Sequence, residues 1–305
     1  MINGFVVIDK PAGITSHDVV SRVRRILGTR KVGHTGTLDP FATGVLPVAV
    51  NEGTKAIPFL DEGVKCYEAL MQLGVATDTL DMTGKVLREC EYDSVTRQQL
   101  LGVFESFTGH ILQIPPMYSA IKQGGQPLYK LARLGQEVER AARPVDIHSI
   151  ELLSFALPFV SIKVTCSRGT YVRTLADDIG AKIGCGAALK ELRRTASGPF
   201  VISAAHTLES LQDAVDEGRL LSLCTSPFSA LEHLPDVPLA ESGLAKVSFG
   251  RSPLWSDTSV QGDAVPPGTD LVRLSRDAVL VAVAKLATGD EPFPAIVLKR
   301  VFYVS

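Results

Sequence analysis

The chain has 305 residues, of which 45% are hydrophobic and 21% are charged, a composition that is typical of a globular protein and excludes a disordered chain. Its formal net charge of −2 does not by itself indicate a nucleic-acid-binding protein. No apolar run approaches the roughly 18 residues of a membrane span, so we expect no contact with a membrane.

The cysteines and the N-terminus indicate a reducing compartment. The five cysteines are scattered along the chain and form no C-x-x-C pair, which argues against a disulfide framework and against a zinc cluster. The first residues lack a basic stretch that leads into a long apolar core, so no secretory signal is predicted. We therefore expect a cytoplasmic protein with no metal site.

Charge is distributed unevenly along the chain. Residues 1–60 carry a net charge of +3 and residues 161–200 carry +4, whereas residues 201–305 carry −5. An acidic C-terminal region can hide a basic face in the average, as a nucleic-acid-binding surface would require. Chance fluctuation is the alternative explanation for these numbers.

The first predicted elements are a buried strand over residues 5–8 and an amphipathic helix that starts at Ser16 as N-cap and stops at Gly28. The face of this helix opposite its apolar side, and the turn that follows, are basic. Their positive residues are Arg22, Arg24, Arg25, Arg30 and Lys31. A solvated helix face and an RNA-binding surface are both compatible with this pattern.

Residues 33–44 cannot form a regular helix or a central strand, because twelve residues contain three glycines, a proline and three threonines. They predict an ordered loop. Its acidic residue, Asp39, precedes Pro40 and is thereby biased toward an extended backbone. On the residues alone, Asp39 can be an ordinary turn-forming aspartate.

The same loop resembles the active-site motif G-H-x-G-x-L-D-P-x-A-x-G of the TruB-type tRNA pseudouridine synthases. The resemblance is specific because many positions agree in one uninterrupted run. It implies that Asp39 is the catalytic aspartate. His34 is suited to stacking on neighbouring bases, and a loop-stabilising hydrogen bond is the alternative role for this residue.

Two segments further along resemble the next parts of the family pattern. Residues 65–74 read as a strand and match K-x-Y-x-a-x-x-x-L-G, which implies that Tyr67 stacks on the target base; a core tyrosine is the alternative. Residues 77–84 are turn-rich and match T-D-T-x-D-x-x-G. Their two carboxylates lack the ligand spacing of a calcium loop, so no metal is predicted there.

The third and fourth family motifs supply three more candidate residues. Residues 166–180 match C-S-x-G-T-Y-x-R-x-L-x-x-D-x-G, which implies that Arg173 pairs with the catalytic aspartate and that Tyr171 lines the base pocket. Residues 189–194 match L-x-x-L-R-R, which implies that Leu192 packs beneath the base. Helical spacing of apolar residues after position 170 also predicts a helix, with Thr170 as its cap.

Residues 123–143, called the arm below, are charged, glycine-rich at the start and weakly apolar, with a short helix predicted around residues 128–134. Such a segment is either a surface excursion or a mobile binding arm. The resemblance implies that it grips the T-loop of tRNA. The candidate RNA-binding residues of the whole chain are Lys10, Arg22, Arg24, Arg30, Lys122, Arg140 and Arg143.

Two domains are expected. The pattern over residues 1–230 predicts an α+β fold with a mixed, largely antiparallel sheet, including a helix over residues 96–108 and strands over residues 145–155 and 160–166. Near residue 230 the pattern changes to short apolar runs split by turns, with strands at 271–274, 279–284 and 296–302 and turns at 266–268 and 288–290. The resemblance implies that residues 235–305 form a PUA-like RNA-binding β-barrel.

The resemblance implies a complete reaction. A uridine in the tRNA T-loop (position 55) is flipped out, its glycosidic C–N bond is broken, and the base is reattached through carbon, without redox change, hydrolysis or cofactor. Arg173 would keep Asp39 ionised, since an opposite charge lowers a carboxyl pKa. Attack at C1′, attack at C6 and removal of a sugar proton remain open as the first step.

Two related functions compete with this expectation. One is a guide-RNA-dependent pseudouridine synthase subunit that needs partner proteins, and the other is an RNA-folding chaperone with the same fold. The arm and the absence of a basic tail favour a stand-alone enzyme with tRNA as its partner and no obligatory protein partner. Asp39, Tyr67 and Arg173 are all present, which argues against a fold that has lost its chemistry.

Overall fold

The computed structural model describes residues 2–260, 264–287 and 293–302. The strands in these ranges are β1 (Gly4–Lys10), β2 (Val32–His34), β3 (Thr43–Val50), β4 (Val64–Leu73), β5 (Val75–Thr77), β6 (Val86–Glu89), β7 (Gly109–Gln113), β8 (Lys122–Gln123), β9 (Gln126–Pro127), β10 (Arg143–Ala156), β11 (Phe159–Ser167), β12 (Ala187–Ser197), β13 (Phe200–Val201), β14 (Cys224–Thr225), β15 (Asp236–Pro238), β16 (Leu271–Arg276), β17 (Val279–Ala287) and β18 (Ala295–Val301).

The α-helices are α1 (Ser16–Leu27), α2 (Gly53–Ala56), α3 (Arg97–Phe107), α4 (Leu128–Arg133), α5 (Val172–Ile183), α6 (Leu208–Asp216), α7 (Pro227–Ala230) and α8 (Glu241–Ser248). Short 3-10 turns lie at Ile57–Phe59, Ile202–Ala204, Leu220–Leu223 and Trp255–Asp257. Among the described helices, none combines the length and the apolar character needed to cross a membrane.

The large sheet has the strand order β14-β1-β3-β12-β4-β11-β10-β7, with β2 attached to β3 and β13 attached to β12. The strand pairs described in this sheet are antiparallel except for β3 and β12, which run parallel over a short contact. The prediction of an α+β fold with a mixed, largely antiparallel sheet is therefore confirmed.

Both faces of the sheet are covered, and β1 shows why its sequence is a continuous apolar run. Val6 and Ile8 point into the core that contains helices α1 and α5. Phe5 and Val7 point to the opposite face, where they join a cluster with residues of α7 and β17. Alternate side chains of β1 therefore pack into two different cores, and neither face of the strand is exposed to solvent.

Two predicted helix caps are wrong by one residue. Helix α1 is capped by Thr15, which forms a reciprocal capping box with Asp18, and the predicted cap Ser16 is the first helical residue. The hydroxyl of Ser16 is used elsewhere, because it accepts from the amide of Leu38 at 2.8 Å and donates to its carbonyl at 3.1 Å. Helix α5 starts after Tyr171, and Thr170 lies outside it.

The C-terminal strands form a separate open sheet in the order β15-β16-β17-β18. Its three long strands are those predicted, and the turn at residues 266–268 is present, while the predicted turn at 288–290 lies outside the described residues. Helix α8, which was not predicted, packs against this sheet. A closed PUA-like barrel is not confirmed among the described residues.

The arm contains the two-stranded ladder of β8 and β9 followed by helix α4, as the short predicted helix required. Leu128 is fully buried and anchors the start of α4, and most other residues of the arm are exposed. Its role in holding RNA, and the domain boundaries at residues 230 and 235, stay predictions.

Candidate active site

The loop of residues 35–42 joins β2 to β3 and carries Asp39. Its end requires a glycine at position 44, which has a φ of +98° and lies against β12. A Cβ at Gly44 would come within 2.2 Å of the carbonyl oxygen of Arg194. The parallel contact between β3 and β12 therefore depends on the absence of this side chain.

Lys10 holds the loop through hydrogen bonds to its carbonyl groups and does not contact solvent. Its side chain is completely buried, and Nζ donates to the carbonyls of Pro11 at 2.9 Å, Pro40 at 3.2 Å and Ala42 at 2.7 Å. Burial lowers the pKa of Lys10 to about 8, with Asp39 acting in the opposite direction. The three donors of Lys10 are committed to these carbonyls, and its contact with RNA stays a prediction.

Arg194, which sequence reasoning did not single out, holds the other side of the loop. It is fully buried, and it donates to the carbonyls of Val45 at 2.7 Å, Gly36 at 3.0 Å and Thr37 at 3.4 Å. Its guanidinium also faces the phenol oxygen of Tyr67. The loop is therefore fixed by two buried cations, and the second arginine of the L-x-x-L-R-R motif was the available signal.

Asp39 and Arg173 form the central ion pair of the site. Nε of Arg173 lies 2.8 Å from Oδ2 of Asp39; the arginine side chain is 4% exposed and the aspartate side chain 33% exposed. The remaining donors of Arg173 reach the carbonyls of Thr79 at 2.9 Å and Tyr118 at 2.8 Å. The guanidinium is thus held rigidly, while one side of the carboxylate stays open to a ligand.

Asp81 is a third member of this network, and the sequence analysis did not name it as a site residue. Its side chain is 5% exposed, and Oδ2 lies 3.6 Å from Nη1 of Arg173. The other carboxylate oxygen accepts from the hydroxyl of Thr79 and from the amide and hydroxyl of Thr83. The T-D-T-x-D-x-x-G segment therefore supplies a fixed negative charge behind the arginine.

The pKa of Asp39 is raised above its ordinary value, although Arg173 acts to lower it as expected. Burial is the largest cause, and the negative charge of Asp81 adds to it. Arg173 and Lys10 act in the opposite direction and do not fully compensate. The carboxylate is consequently a stronger base than an ordinary aspartate.

Tyr67 and Leu192 lie on one face of two neighbouring strands. In the antiparallel register of β4 and β12, Tyr67 pairs with Arg194 and Leu192 pairs with Ala69. Alternation along β4 places Tyr67 and Ala69 on the same face, so all four side chains share it. Tyr67 and Leu192 are each 7% exposed. Both side chains belong to the wall around the loop, and their contact with a base stays a prediction.

Tyr171 is positioned by a buried amide. The amide nitrogen of Tyr171 donates to Oε1 of Gln113 at 2.8 Å, and Nε2 of Gln113 donates to the carbonyl of Tyr171 at 3.1 Å. Gln113 is the last residue of β7 and is almost fully buried. No motif quoted from the sequence includes it. Burial raises the pKa of the Tyr171 phenol, so the phenol is neutral at physiological pH.

His34 ends β2 with a half-buried imidazole. Its Nδ1 is buried and has no hydrogen-bond partner among the described residues. Burial lowers the pKa of His34, and the positive charges of Arg194 and Lys65 lower it further. A neutral flat ring without a fixed hydrogen bond at Nδ1 fits stacking better than loop stabilisation. That role remains a prediction.

The candidate RNA-binding residues differ in their availability. Arg24 is half-buried and donates to the carbonyl of Val32 at 2.9 Å. Arg140 donates to the carbonyl of Pro115 at 3.2 Å and pairs with Glu137 at 3.1 Å. The exposed candidates are Arg22, Arg30, Lys122 and Arg143. These four have charges that a phosphate can reach without breaking an internal contact.

The sheet and the paired Asp39 define a class of protein, the pseudouridine synthases. The chain has a TM-score of 0.74 and 30% identity to a protein in the crystal structure of a Cbf5–Nop10–Gar1 complex, covering 98% of this chain and 85% of that one. A protein in the structure of an H/ACA RNP bound to a substrate RNA containing 2′-deoxyuridine gives a TM-score of 0.74 with 28% identity, covering 99% and 85%.

Within this class, the chain belongs to the TruB family of pseudouridylate synthases. The family model of the N-terminal domain matches residues 24–172, and the model of the tRNA pseudouridylate synthase B C-terminal domain matches residues 173–230. The tRNA pseudouridine synthase B of Geotalea uraniireducens is 54% identical, covering 99% of this chain and 98% of the relative. That of Geobacter sulfurreducens is 52% identical, covering 94% and 95%.

Proposed function

We propose that this protein converts a uridine in the T-loop of tRNA, at position 55, to pseudouridine, with Asp39 as the catalytic carboxylate. The observation that carries this proposal is the 2.8 Å ion pair between Asp39 and Arg173. It places one partly accessible carboxylate against a buried guanidinium whose other donors are already used.

The chemistry needs one reacting carboxylate. The base leaves the ribose through nitrogen and returns through carbon, so atoms are conserved and neither an oxidant nor water is consumed. A retaining glycosidase uses two carboxyl groups about 5–5.5 Å apart, the second as acid and base. Here the second carboxylate, Asp81, is buried and bonded within its own turn, which supports isomerisation instead of hydrolysis.

The raised pKa of Asp39 fits either role for the carboxylate. As a nucleophile it would attack the nucleoside, and as a base it would remove a proton; basicity assists both. Arg173 orients the carboxylate and balances its charge in the desolvated pocket. Tyr67 and Leu192 would hold the flipped uracil, and His34 would stack where the base has left the loop.

A stand-alone enzyme is favoured over a guide-RNA-dependent subunit. Relatives with 52–54% identity that align over nearly their full length are named tRNA pseudouridine synthase B, whereas the proteins of the Cbf5–Nop10–Gar1 and H/ACA structures are 28–30% identical. The exposed basic residues around the arm, Lys122 and Arg143, are available to the T-stem-loop. No protein partner is required by this proposal.

The test is single-turnover pseudouridine formation on an unmodified tRNA transcript by purified protein alone. Asp39→Asn should lower the rate by several orders of magnitude, each tenfold being about 1.4 kcal/mol of barrier, while tRNA binding is largely retained. Asp93→Asn, at an exposed carboxylate, is the matched control.

Three other outcomes would contradict the proposal. Turnover of Asp39→Asn within about tenfold of the parent removes Asp39 from the mechanism. Conversion that appears only with an added guide RNA and partner proteins supports the guide-dependent function. Retained tRNA refolding without any pseudouridine supports an RNA-folding chaperone.

A further inference from the structure

Lys65 is a half-buried cation without a partner. It lies on β4 two residues before Tyr67, so its side chain leaves the sheet on the same face as that tyrosine. Across the sheet it pairs with Cys166 of β11 and Ser197 of β12, both fully buried. Within the described part of the chain, its ammonium forms neither a hydrogen bond nor an ion pair.

The ammonium lies directly over the catalytic loop. A Cβ at Gly36 would come within 2.7 Å of Nζ of Lys65 and 3.6 Å of Nη1 of Arg194. Gly36 does not have a positive φ, so its backbone does not require glycine. The missing side chain leaves room for the ammonium itself, three residues before Asp39.

The charges around Lys65 favour an anion. Arg194 has committed its donors to loop carbonyls and is not available to a ligand. Burial and then Arg194 lower the pKa of Lys65, with Arg168 adding to the effect and Glu62 opposing it. A desolvated ammonium among other cations is costly unless a negative group reaches it.

We propose that Lys65 forms a subsite for one backbone phosphate of the RNA, next to the nucleotide whose base enters the Asp39 pocket. This rests on the proposed function, since the phosphodiester is the anion that an RNA substrate brings. A compact ammonium suits a single phosphate oxygen. The contact would hold the backbone at the loop while the base turns inward.

Glu62 is the competing partner within the chain. Its Oε1 is buried and has no hydrogen-bond partner among the described residues, and its negative charge raises the pKa of Lys65. If Glu62 neutralised Lys65 in the complex, Glu62→Gln would free the lysine's charge and tighten RNA binding only when Lys65 is present. If the phosphate is the partner, Glu62→Gln leaves the effect of Lys65→Met unchanged.

The first measurement is the salt dependence of tRNA binding. Lys65→Met keeps the aliphatic stem and removes one charge, and it should weaken binding about tenfold and reduce the slope of log K against log salt by about 0.7–0.9. Lys163→Met is the matched control, because Lys163 lies on neighbouring β11 and pairs loosely with Glu151 at 3.9 Å. An equal effect of both variants would indicate only a diffuse field and overturn the proposal.

The second measurement locates the phosphate. T-stem-loop RNAs with a neutral methylphosphonate at each position flanking the target uridine are bound to the parent and to Lys65→Met. One replacement should weaken binding to the parent and have little effect on the variant. If every methylphosphonate weakens binding equally in the parent and in Lys65→Met, the subsite is refuted.

Pseudouridine formation by the parent on the unmodified stem-loop is measured in parallel. Conversion with an unaltered slope for Lys65→Met refutes the subsite alone. If the parent forms no pseudouridine, the proposed function is refuted. The binding measurements on the parent and Lys65→Met still test the subsite in that case. Gly36→Ala provides an independent variant: its Cβ would come within 2.7 Å of Nζ and displace the ammonium, so it should reproduce the loss of the same phosphate contact.

Discussion

The side-chain amide of Gln113 joins the end of β7 to the start of α5 by bonding both backbone groups of Tyr171, at 2.8 Å and 3.1 Å. Helix α5 has no side-chain N-cap, and Gln113 fixes the backbone of Tyr171, the residue at its N-cap position. Arg173 follows in the first turn and reaches Asp39 from there. Gln113 therefore sets the position of the arginine without touching the reacting carboxylate.

We expect Gln113→Leu to lower the single-turnover rate by about ten- to a hundredfold, roughly 1.4–2.7 kcal/mol of barrier, with tRNA affinity nearly unchanged. The reason is that the amide of Tyr171 loses its partner, its carbonyl keeps only the amide of Leu175, and the start of α5 shifts. Gln98→Leu, at an exposed glutamine of α3, is the control. A rate loss that merely follows the fraction of folded protein would contradict a positioning role.

Asp81→Asn tests the charge behind Arg173. The reactive form of Asp39 is ionised, so the rate falls as pH drops through its pKa, which is raised above the ordinary 3.8 by burial and by Asp81. Removing the Asp81 charge lowers that pKa and should move the acid limb to lower pH. The plateau rate should also drop at least about tenfold, because Nη1 of Arg173 loses its charged neighbour.

The measurement for Asp81 is the pH profile of single-turnover pseudouridine formation. Asp93→Asn should leave both the limb and the plateau in place. An acid limb that moves to higher pH in Asp81→Asn would mean that Asp81 stabilises the ionised Asp39 through Arg173 more than it repels it.

Because the pKa of Lys10 is lowered by burial, we expect the stability of the protein to depend on pH in the alkaline range. Its pKa is about 8 in the folded protein and 10.5 in the unfolded chain, so the folded state releases the proton first as pH rises. The contribution of Lys10 to the free energy of unfolding should therefore increase between pH 8 and pH 10.5, by at most about 3 kcal/mol. Urea unfolding of the parent and of Lys10→Met at pH 7, 8.5 and 10 measures the difference.

Lys163→Met provides the reference for titration of other groups in that pH range. If the parent and Lys10→Met stay separated by a constant free energy, the buried amine does not titrate near pH 8. Lys10→Met should also be less stable than the parent at every pH, because three carbonyl partners are lost.

Substitutions of Arg143 and Arg140 should affect tRNA binding and arm stability differently. Arg143 is exposed, so Arg143→Met should reduce the salt slope of tRNA binding by about 0.7–0.9 and leave the saturated single-turnover rate intact. Arg140 is tied to Pro115 and Glu137, so Arg140→Met should loosen the arm and speed its proteolysis. Unchanged affinity and salt slope in both variants would remove the arm from RNA binding.

Much of the local structure followed from the residues alone. The apolar alternation of residues 65–74 was sufficient to predict strand β4. The spacing of apolar residues in α1, together with Gly28 at its end, predicted the bounds of that helix to within one residue. The cap predicted at Ser16 was misplaced because the neighbouring hydroxyl of Thr15 caps the helix, while the Ser16 hydroxyl bonds the backbone of Leu38. Helix α5 starts one residue later than predicted, and no side chain caps it.

The sequence by itself determined the loop of residues 33–44 and the candidate site residues Asp39, Tyr67 and Arg173, because contiguous motifs carry this information within a few residues. Only the tertiary structure decided what surrounds them. Lys10 was predicted to contact RNA, and its side chain is fully buried against the loop. Asp81 was predicted only as part of a turn, and its carboxylate lies 3.6 Å from the guanidinium of Arg173. Periodicity shows which face of an element is apolar, but the partner of a buried charge is set by segments far apart in the chain, as with the 94 residues between Arg173 and Thr79.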